Sequence, residues 1–548
     1  MELIEVDEAP LGCHILAVPY PGRGHINPLM NLCKLIAATS TPDLLLQISF
    51  IVTQEWFSIL KSEPKPDNIQ FRTIPNVIPS EKDRSKDLPG FMEAVFTKME
   101  APVDSILDGF PKPNVILADS FLPWAVSIGE RRNIPVASFW TPSATVFSIH
   151  YHYQLLKDNG HYEANLTEQG EELVNYIPGI TPIRVKDLPS VFYGKQTKLL
   201  PFLLEYVSQL ANKAQYALFT TIEALESQVI EALQAELPVP IFTVGLTIPC
   251  LDTEFKSNQP SPNYLSWLDD QPKDSVLYIS QGSFMSVSKE LLDEIIAGVH
   301  SSGVRTFWVS RENASLLADG IGKRGIVVPW CDQLKVLCHP SVGGFWSHCG
   351  WNSTKEGAFA GVPFLTFPIG ADQVTNSKQI VEDWKIGWRI NKDSENLVKR
   401  DEIAQLLQSF MDLDSYEGKE MRRRAMEIRN TCLEAIEGGT IQGNIDKFIR
   451  DISRGPRHKD FLGFMKVVFT TMEAPVDRIL DGLLKPSVIL ADSFLPWAVS
   501  IGGRRNIPVA SFWTMSVTNF SIFYHHQLLL ANGHFEANFT VTPRAGLT

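Results

Sequence analysis

The 548-residue chain is short of positive charge, of paired cysteines and of long apolar runs. Each shortage closes off a class of function. Its 49 lysines and arginines are outnumbered by 62 aspartates and glutamates, leaving a net charge of −13. A nucleic-acid partner, which needs a basic face, is therefore not expected. Seven cysteines, at positions 13, 33, 250, 331, 338, 349 and 432, are odd in number and form no CxxC pair. That argues against a structural zinc or a disulfide framework and fits a reducing compartment. The apolar run LLLQISFIV is far shorter than the roughly 20 residues that span a bilayer, and it carries Gln47. The opening MELIEVDEAPLG is acidic and lacks the basic-then-apolar layout of a signal peptide. The expectation is a cytoplasmic, monomeric protein. In that setting the Asn-x-Ser/Thr sequences at Asn165, Asn313, Asn352 and Asn538 are incidental.

What is present is the composition of a globular protein, 44% hydrophobic and 20% charged. The length exceeds one hydrophobic core and predicts two or three domains. Residues 13–18 (CHILAV) form a short apolar run ending at the turn Pro19-Tyr20-Pro21-Gly22-Arg23-Gly24, after which a helical pattern starts near His25. Further apolar runs at 44–53, 69–74, 115–118, 135–140, 216–221 and 241–244 predict the remaining strands of a doubly wound sheet. A polar, proline-bearing stretch at 246–263 reads as a linker. A second alternation follows, with strands at 276–280, 305–309 and 325–328 and helices at 289–301, 400–410, 416–437 and 441–452. The predicted fold class is α/β, with two facing Rossmann-like domains, 1–245 and 264–455, and a cleft between them.

The segment Trp330–Gln373 interleaves apolar runs with glycine-rich polar joints. Trp330 offers a face on which a planar base can stack, and the backbone of Cys331 can read its edge. Gln333 and Glu356 suit ribose hydroxyls. His348, Trp351, Asn352 and Ser353 surround Gly350 where a helix begins. Backbone N–H groups and the helix dipole there favour a pyrophosphate, with Asn352 or Ser353 expected to cap the helix. Asp372 and Gln373 have the atoms needed to grip sugar hydroxyls. In the first half, His25 lies on the first βα loop and Asp119 ends another strand. One sheet edge could bring them together as a general base and the group that orients it.

These residues also carry a resemblance. Trp330–Gln373 is similar, over its full length and without a gap, to the 44-residue signature of plant family-1 UDP-dependent glycosyltransferases. The likeness includes the HCGWNS core, Glu356, Gly361-Val362-Pro363 and Asp372-Gln373. It continues over residues 10–455 through PGRGHINP, Ala118-Asp119, Asp187-Leu188-Pro189, Tyr264–Asp269 and Gly282-Ser283. The resemblance implies the GT-B fold, inversion at the anomeric carbon, no metal and no other cofactor. UDP-glucose or a related UDP-sugar would be the donor. His25 would be the base and Asp119 its partner, with Ser283 and His348 holding charge on the departing UDP. The acceptor would be a hydroxyl or carboxyl of a small hydrophobic molecule, such as a phenolic, flavonoid, terpenoid or hormone, beside Phe121, Thr141 and Phe147. The chain departs from the family pattern at Cys331-Asp332, where a proline is usual, at Lys355, usually apolar, and at Thr221, often Asn. An NAD enzyme is the weaker reading, because Gly22-x-Gly24-x-x-Asn27 lacks the third glycine and residues 44–53 end without an acidic residue.

One feature stands outside this plan. Residues 472–513 repeat 99–140 at a constant offset of 373, with five differences in 42 positions. Weaker likeness makes 456–548 a partial repeat of 88–167. It contains Asp492, the counterpart of Asp119, but no nearby histidine and nothing like Trp330–Gln373. A lone βα unit cannot cover its own apolar faces, so it is not expected to be an independent domain. It reads as the fused remnant of a neighbouring duplicate gene or as a mis-joined gene model. Two alternatives are that it competes for the slot of residues 88–167, or that it blocks the cleft and leaves a UDP-sugar binder without turnover.

Overall fold

The computed structural model describes residues 11–42, 44–84, 86–109, 111–193, 200–248, 263–282, 288–310, 314–390, 398–453, 473–481, 485–492 and 495–512. The chain divides into two compact units, 1–453 and 454–548. Most of the proposed linker, 249–262, lies outside the described residues.

In chain order the first half supplies β1 (Leu11–Val18), β2 (Leu44–Thr53), β3 (Ile69–Ile74), β4 (Val115–Asp119) and β5 (Val136–Trp140). A short antiparallel pair, β6 (Leu173–Val174) and β7 (Ile183–Arg184), precedes β8 (Tyr216–Phe219) and β9 (Ile241–Thr243). Apart from that pair these strands form one parallel sheet in the order β3-β2-β1-β4-β5-β8-β9. Strands β4 and β5 are buried along their whole length, which is why VILAD and VASFW read as unbroken runs and not as alternating ones. The second half supplies β10 (Val276–Ser280), β11 (Arg305–Val309), β12 (Gly325–Val328), β13 (Val342–Ser347), β14 (Phe364–Thr366) and β15 (Gly387–Arg389). They make a second parallel sheet, ordered β12-β11-β10-β13-β14-β15. This is the GT-B architecture.

Strand order reverses direction between β1 and β4 in the first sheet and between β10 and β13 in the second. At such switch points the connections leave to opposite faces and open a crevice beyond the carboxyl ends of the strands. The loop carrying His25 follows β1, and Asp119 ends β4. Gln281-Gly282 follows β10, and His348–Ser353 follows β13. Both reversals therefore fall at the motifs singled out by sequence.

One helix crosses between the halves. Thr440–Ser453, which the sequence assigns to the second array, packs Ile445, Phe448, Ile449 and Ile452 into the core of the first sheet. Phe448 meets Tyr216 and Phe242 at ring distances of 5.5 and 5.6 Å, and Asn444 donates to the Thr243 carbonyl at 3.0 Å. A periodic apolar stripe shows that a helix is amphipathic but not which sheet it will cover.

In the second unit, β16 (Ile489–Asp492) and β17 (Val509–Phe512) pair in parallel, with helices at Glu473–Asp481 and Pro496–Arg505. Arg505 contacts Asp477 and Asp481, as Arg132, 373 positions earlier, contacts Asp104 and Asp108. The matched helix residues Trp497, Ala498 and Ile501 are buried like Trp124, Ala125 and Ile128, but the strand residues differ. Leu490 is 73% exposed and Phe512 59%, whereas Leu117 and Phe139 are wholly buried. Among the described residues no helix is long and apolar enough to cross a membrane.

Candidate active site

His25 sits in the first turn of the helix Arg23–Ala38, whose N-cap is Gly22. Parallel pairing of β1 with β4, through Val18 opposite Ala118, carries Asp119 to the same edge. His25 Nδ1 lies 2.8 Å from Asp119 Oδ2. The Asp119 side chain is fully buried, while that of His25 is 24% exposed. The other carboxylate oxygen accepts the Phe121 N–H at 2.9 Å, which fixes the plane of the group. A carboxylate at Nδ1 holds the proton there and leaves Nε2 as the basic nitrogen. Thr141 Oγ1 also stands 3.0 Å from Nδ1. Tyr20 and Phe121 flank the imidazole at ring distances of 5.0 and 5.1 Å. Phe147, expected at the acceptor pocket, is wholly buried one layer further in, against Trp140 and Phe219.

On the facing sheet, Trp330 is 64% exposed, so its indole is available as a stacking surface and is not core packing. Cys331 is buried, with its thiol 3.5 Å from the Tyr278 hydroxyl. Gln333 sits at the centre of a small network. It accepts from the Tyr278 hydroxyl at 3.0 Å and donates to Ser353 Oγ at 3.1 Å and Glu356 Oε2 at 2.7 Å. Burial raises the Glu356 carboxyl above its ordinary range.

The helix Trp351–Ala360 begins at Gly350 and has no side-chain cap. The expectation that Asn352 or Ser353 caps it is therefore wrong. Asn352 reaches across the cleft instead, and Ser353 accepts from Gln333. The N–H groups of the first turn are thus left to a ligand, and the helix dipole favours an anionic one. Cys349 turns the chain into that helix with φ +66°, in the left-handed region that side chains rarely adopt. His348 stands beside Gly282 and Gly350, where a Cβ would meet its Nε2 at 2.8 and 2.5 Å. Burial pushes its imidazole down to about 4, so at neutral pH it is an uncharged hydrogen-bonding group. Ser283 lies outside the described residues.

The two sheet edges are tied together at the site. Pro28 lies inside the first helix and has no N–H, so the carbonyl of Gly24, four residues earlier, lacks its usual helical donor. Asn352 Nδ2 occupies that carbonyl at 2.8 Å. The His25 loop and the uncapped helix are therefore joined one residue from His25. Trp351, expected among the ligand contacts, is buried and donates its indole N–H to the Thr220 carbonyl at 3.0 Å, so only its backbone faces the helix terminus. Asp372 accepts from Asn376 at 2.8 Å, and its carboxyl is raised by desolvation. Gln373 Oε1 accepts the Ile369 and Gly370 N–H groups at 2.8 and 3.3 Å, which shapes the Pro-Ile-Gly turn.

Sequence reasoning missed the clamp at 184–190. Arg389 pairs with Asp187 at 2.7 Å, and Thr375 Oγ1 donates to the Asp187 carbonyl at 2.8 Å. Ser190 exchanges bonds with Ala371 in both directions, Ser190 N–H to the carbonyl at 2.9 Å and Ala371 N–H to Ser190 Oγ at 2.7 Å. The Asp-Leu-Pro signal was visible, but nothing local announces a partner nearly two hundred residues away. Among the described residues no cluster of three His, Cys, Asp or Glu side chains could hold a metal.

Two Rossmann-like sheets facing a crevice, one edge carrying a His–Asp pair and the other an uncapped helix N-terminus, define a nucleotide-sugar transferase. Comparison with known proteins makes the class specific. Residues 112–427 match the family model described as UDP-glucoronosyl and UDP-glucosyl transferase. The chain is 46% identical over 446 residues to UDP-glycosyltransferase 87A2 of Arabidopsis thaliana, an alignment spanning 80% of this chain and 97% of that protein. Its fold matches Phytolacca americana UGT2, solved with UDP-2-fluoro-glucose and pterostilbene (TM-score 0.68, 27% identity, 82% of this chain and 100% of that one). It matches Medicago truncatula UGT71G1, solved with UDP-glucose, at TM-score 0.68 and 26% identity, over 81% and 98% of the two chains. The chain belongs to the plant family-1 UDP-glycosyltransferases and is a UDP-sugar-dependent glycosyltransferase.

Proposed function

We propose that the chain transfers glucose from UDP-glucose to a hydroxyl or carboxyl group of a small hydrophobic acceptor, with inversion and with His25 as general base. The observation that carries this reading is the His25–Asp119 contact of 2.8 Å at the sheet edge facing the uncapped helix at Trp351. The acceptor hydroxyl gives its proton to His25 Nε2 as its oxygen attacks the anomeric carbon from the side opposite UDP. Asp119 stabilises the imidazolium that forms. A single in-line displacement inverts the configuration. UDP leaves toward the N–H groups of residues 351–353 and the neutral His348, which offer hydrogen bonds where negative charge develops.

Trp330 stacks on the uracil, Gln333 and Glu356 meet the ribose, and Asp372 and Gln373 meet the hexose. Glucose as the sugar is supported by the ligands of the two solved relatives, and an aromatic acceptor by pterostilbene in one of them. The aromatic surroundings of His25, from Tyr20 and Phe121, support the same acceptor class. A cytoplasmic location fits the supply of UDP-sugars.

The test is to incubate the purified chain with UDP-glucose and a panel of phenols, terpenoid alcohols and aromatic acids, following UDP release and product configuration by NMR. A β-glucoside from the α-linked donor is expected. UDP-glucose binding without UDP release for any acceptor would favour a binding protein instead.

A further inference from the structure

The helix Gln373–Lys378 follows Asp372 directly and carries Asn376, which is wholly buried. It lies three residues beyond the segment Trp330–Gln373, and nothing in the sequence sets it apart. Every polar group of its amide has a partner. Nδ2 donates to the Cys349 carbonyl at 2.9 Å and to Asp372 Oδ2 at 2.8 Å, and Oδ1 accepts from Ser143 Oγ at 3.3 Å. A carbonyl and a carboxylate face Nδ2, and both accept, so the amide cannot be turned over.

Those partners come from three places in the site. Cys349 makes the left-handed turn before the uncapped helix at Trp351. Asp372 stands at the start of the helix that carries Asn376 itself. Ser143 belongs to the first half, where it caps the helix Ala144–Tyr151 through the Val146 N–H at 3.2 Å. It also follows by two residues Thr141, whose hydroxyl is 3.0 Å from His25 Nδ1. With Cys349 and Ser143 fixing the amide on two sides, the remaining N–H determines where Asp372 Oδ2 can lie. Asp372 needs such a hold. Burial disfavours its charge, while the bond from Asn376 and the charged form of His25 favour it. A hydrogen bond to an ionised acceptor is of the stronger kind.

We propose that Asn376 is a positioning residue for the transfer, holding the Asp372 carboxylate in the orientation that receives the hexose hydroxyls. This rests on the reading of Asp372 as a hexose contact. The effect is confined to the sugar. The Cys349 turn keeps a bond of its own, from its N–H to Ser347 Oγ at 3.0 Å, so the first-turn N–H groups of the helix Trp351–Ala360 do not depend on Asn376 for their direction. A loosened carboxylate would misplace the anomeric carbon relative to His25, and a shift of about 1 Å costs on the order of 10²-fold in rate.

The experiment compares wild type, Asp372→Ala, Asn376→Ala and the double variant as full chains, by steady-state kinetics with UDP-glucose and by calorimetry with UDP, which lacks the hexose. Asn376→Ala is expected to lower kcat/KM for UDP-glucose by about tenfold or more while UDP affinity stays within about threefold. Added to Asp372→Ala it should change kcat/KM by less than about twofold, because it acts through that carboxylate. Asn376→Asp has the same size but sets an oxygen against two acceptors. It is the second variant should Asn376→Ala fail to fold, and the same split is expected of it. Equal losses of UDP and UDP-glucose, losses that add in the double variant, or wild-type kinetics in a folded Asn376 variant would overturn the proposal. So would a crystal with UDP-2-fluoro-glucose in which Asp372 meets the hexose after leaving Asn376. Wild-type kinetics in Asp372→Ala would instead remove Asp372 as a hexose contact, a failure of the reading beneath the proposal.

Discussion

At the scale of single residues, His25 and Asp119 were legible because each follows a strand at a place where an open parallel sheet presents its ligands. Their meeting at one sheet edge was expected, and the parallel pairing of β1 with β4 delivers it at 2.8 Å. With Oδ2 on Nδ1, Asp119→Asn would put a donor and an acceptor in competition at that position and favour the wrong tautomer. We expect turnover to fall on the order of 10²-fold or more with UDP binding unchanged, measured by steady-state kinetics and calorimetry.

Lys355 is the second residue-scale case. Sequence marked it as a departure, and the structure shows it buried, with Thr247 Oγ1 at 3.3 Å. Desolvation lowers its ammonium to about 7, with Glu356 and Glu226 acting in the opposite direction. Between that value and the ordinary lysine range the unfolded chain binds more protons than the native one, so this group makes stability rise with pH. Below about pH 7 both states are protonated, and the native state carries the full burden of a buried cation. Lys355→Met is therefore expected to raise the melting temperature at pH 7 and to flatten its increase between pH 7 and 10, followed by thermal unfolding across that range. A variant that melts lower at pH 7 with an unchanged pH profile would contradict this.

At the scale of elements, the strands were readable as buried apolar runs, and the long helices as amphipathic periods. The helix at Trp351 was placed correctly but given a cap it does not have, because Asn352 bonds the Gly24 carbonyl instead. That bond arises from Pro28, whose missing N–H frees the Gly24 carbonyl. Pro28→Ala would return a donor to the first helix and put it in competition with Asn352. We expect KM for the UDP-sugar to rise several-fold with kcat little changed. Combined with Asn352→Ala the effect should not add, since both remove one contact. Additive losses in the double-mutant cycle would show that the two residues act separately. The return of helix 440–453 to the first sheet and the clamp at Asp187–Ser190 were illegible for one reason. Both are contacts between distant parts of the chain, and neither has a local periodicity.

At the scale of the whole molecule, two alternating arrays announced two sheets, and the repeat at 456–548 announced itself by identity alone. Its matched residues form the same local elements but leave Leu490 and Phe512 largely exposed. The repeat carries no copy of the β1 sequence, and without that neighbouring strand a copied sequence does not reproduce a copied environment. A chain ending at residue 455 is expected to keep turnover within about twofold, since the described site residues all lie before Ser453. A large loss on truncation, measured with the same acceptor, would give the tail a role in the fold of the first unit.

The central claim is that a UDP-sugar transferase uses His25, oriented by Asp119, to take the acceptor proton. It is tested most directly by turnover of His25→Ala with UDP-glucose and the best acceptor of the panel, alongside calorimetric UDP binding. A fall on the order of 10²-fold or more with UDP affinity unchanged is predicted. Turnover close to wild type would remove His25 as the base.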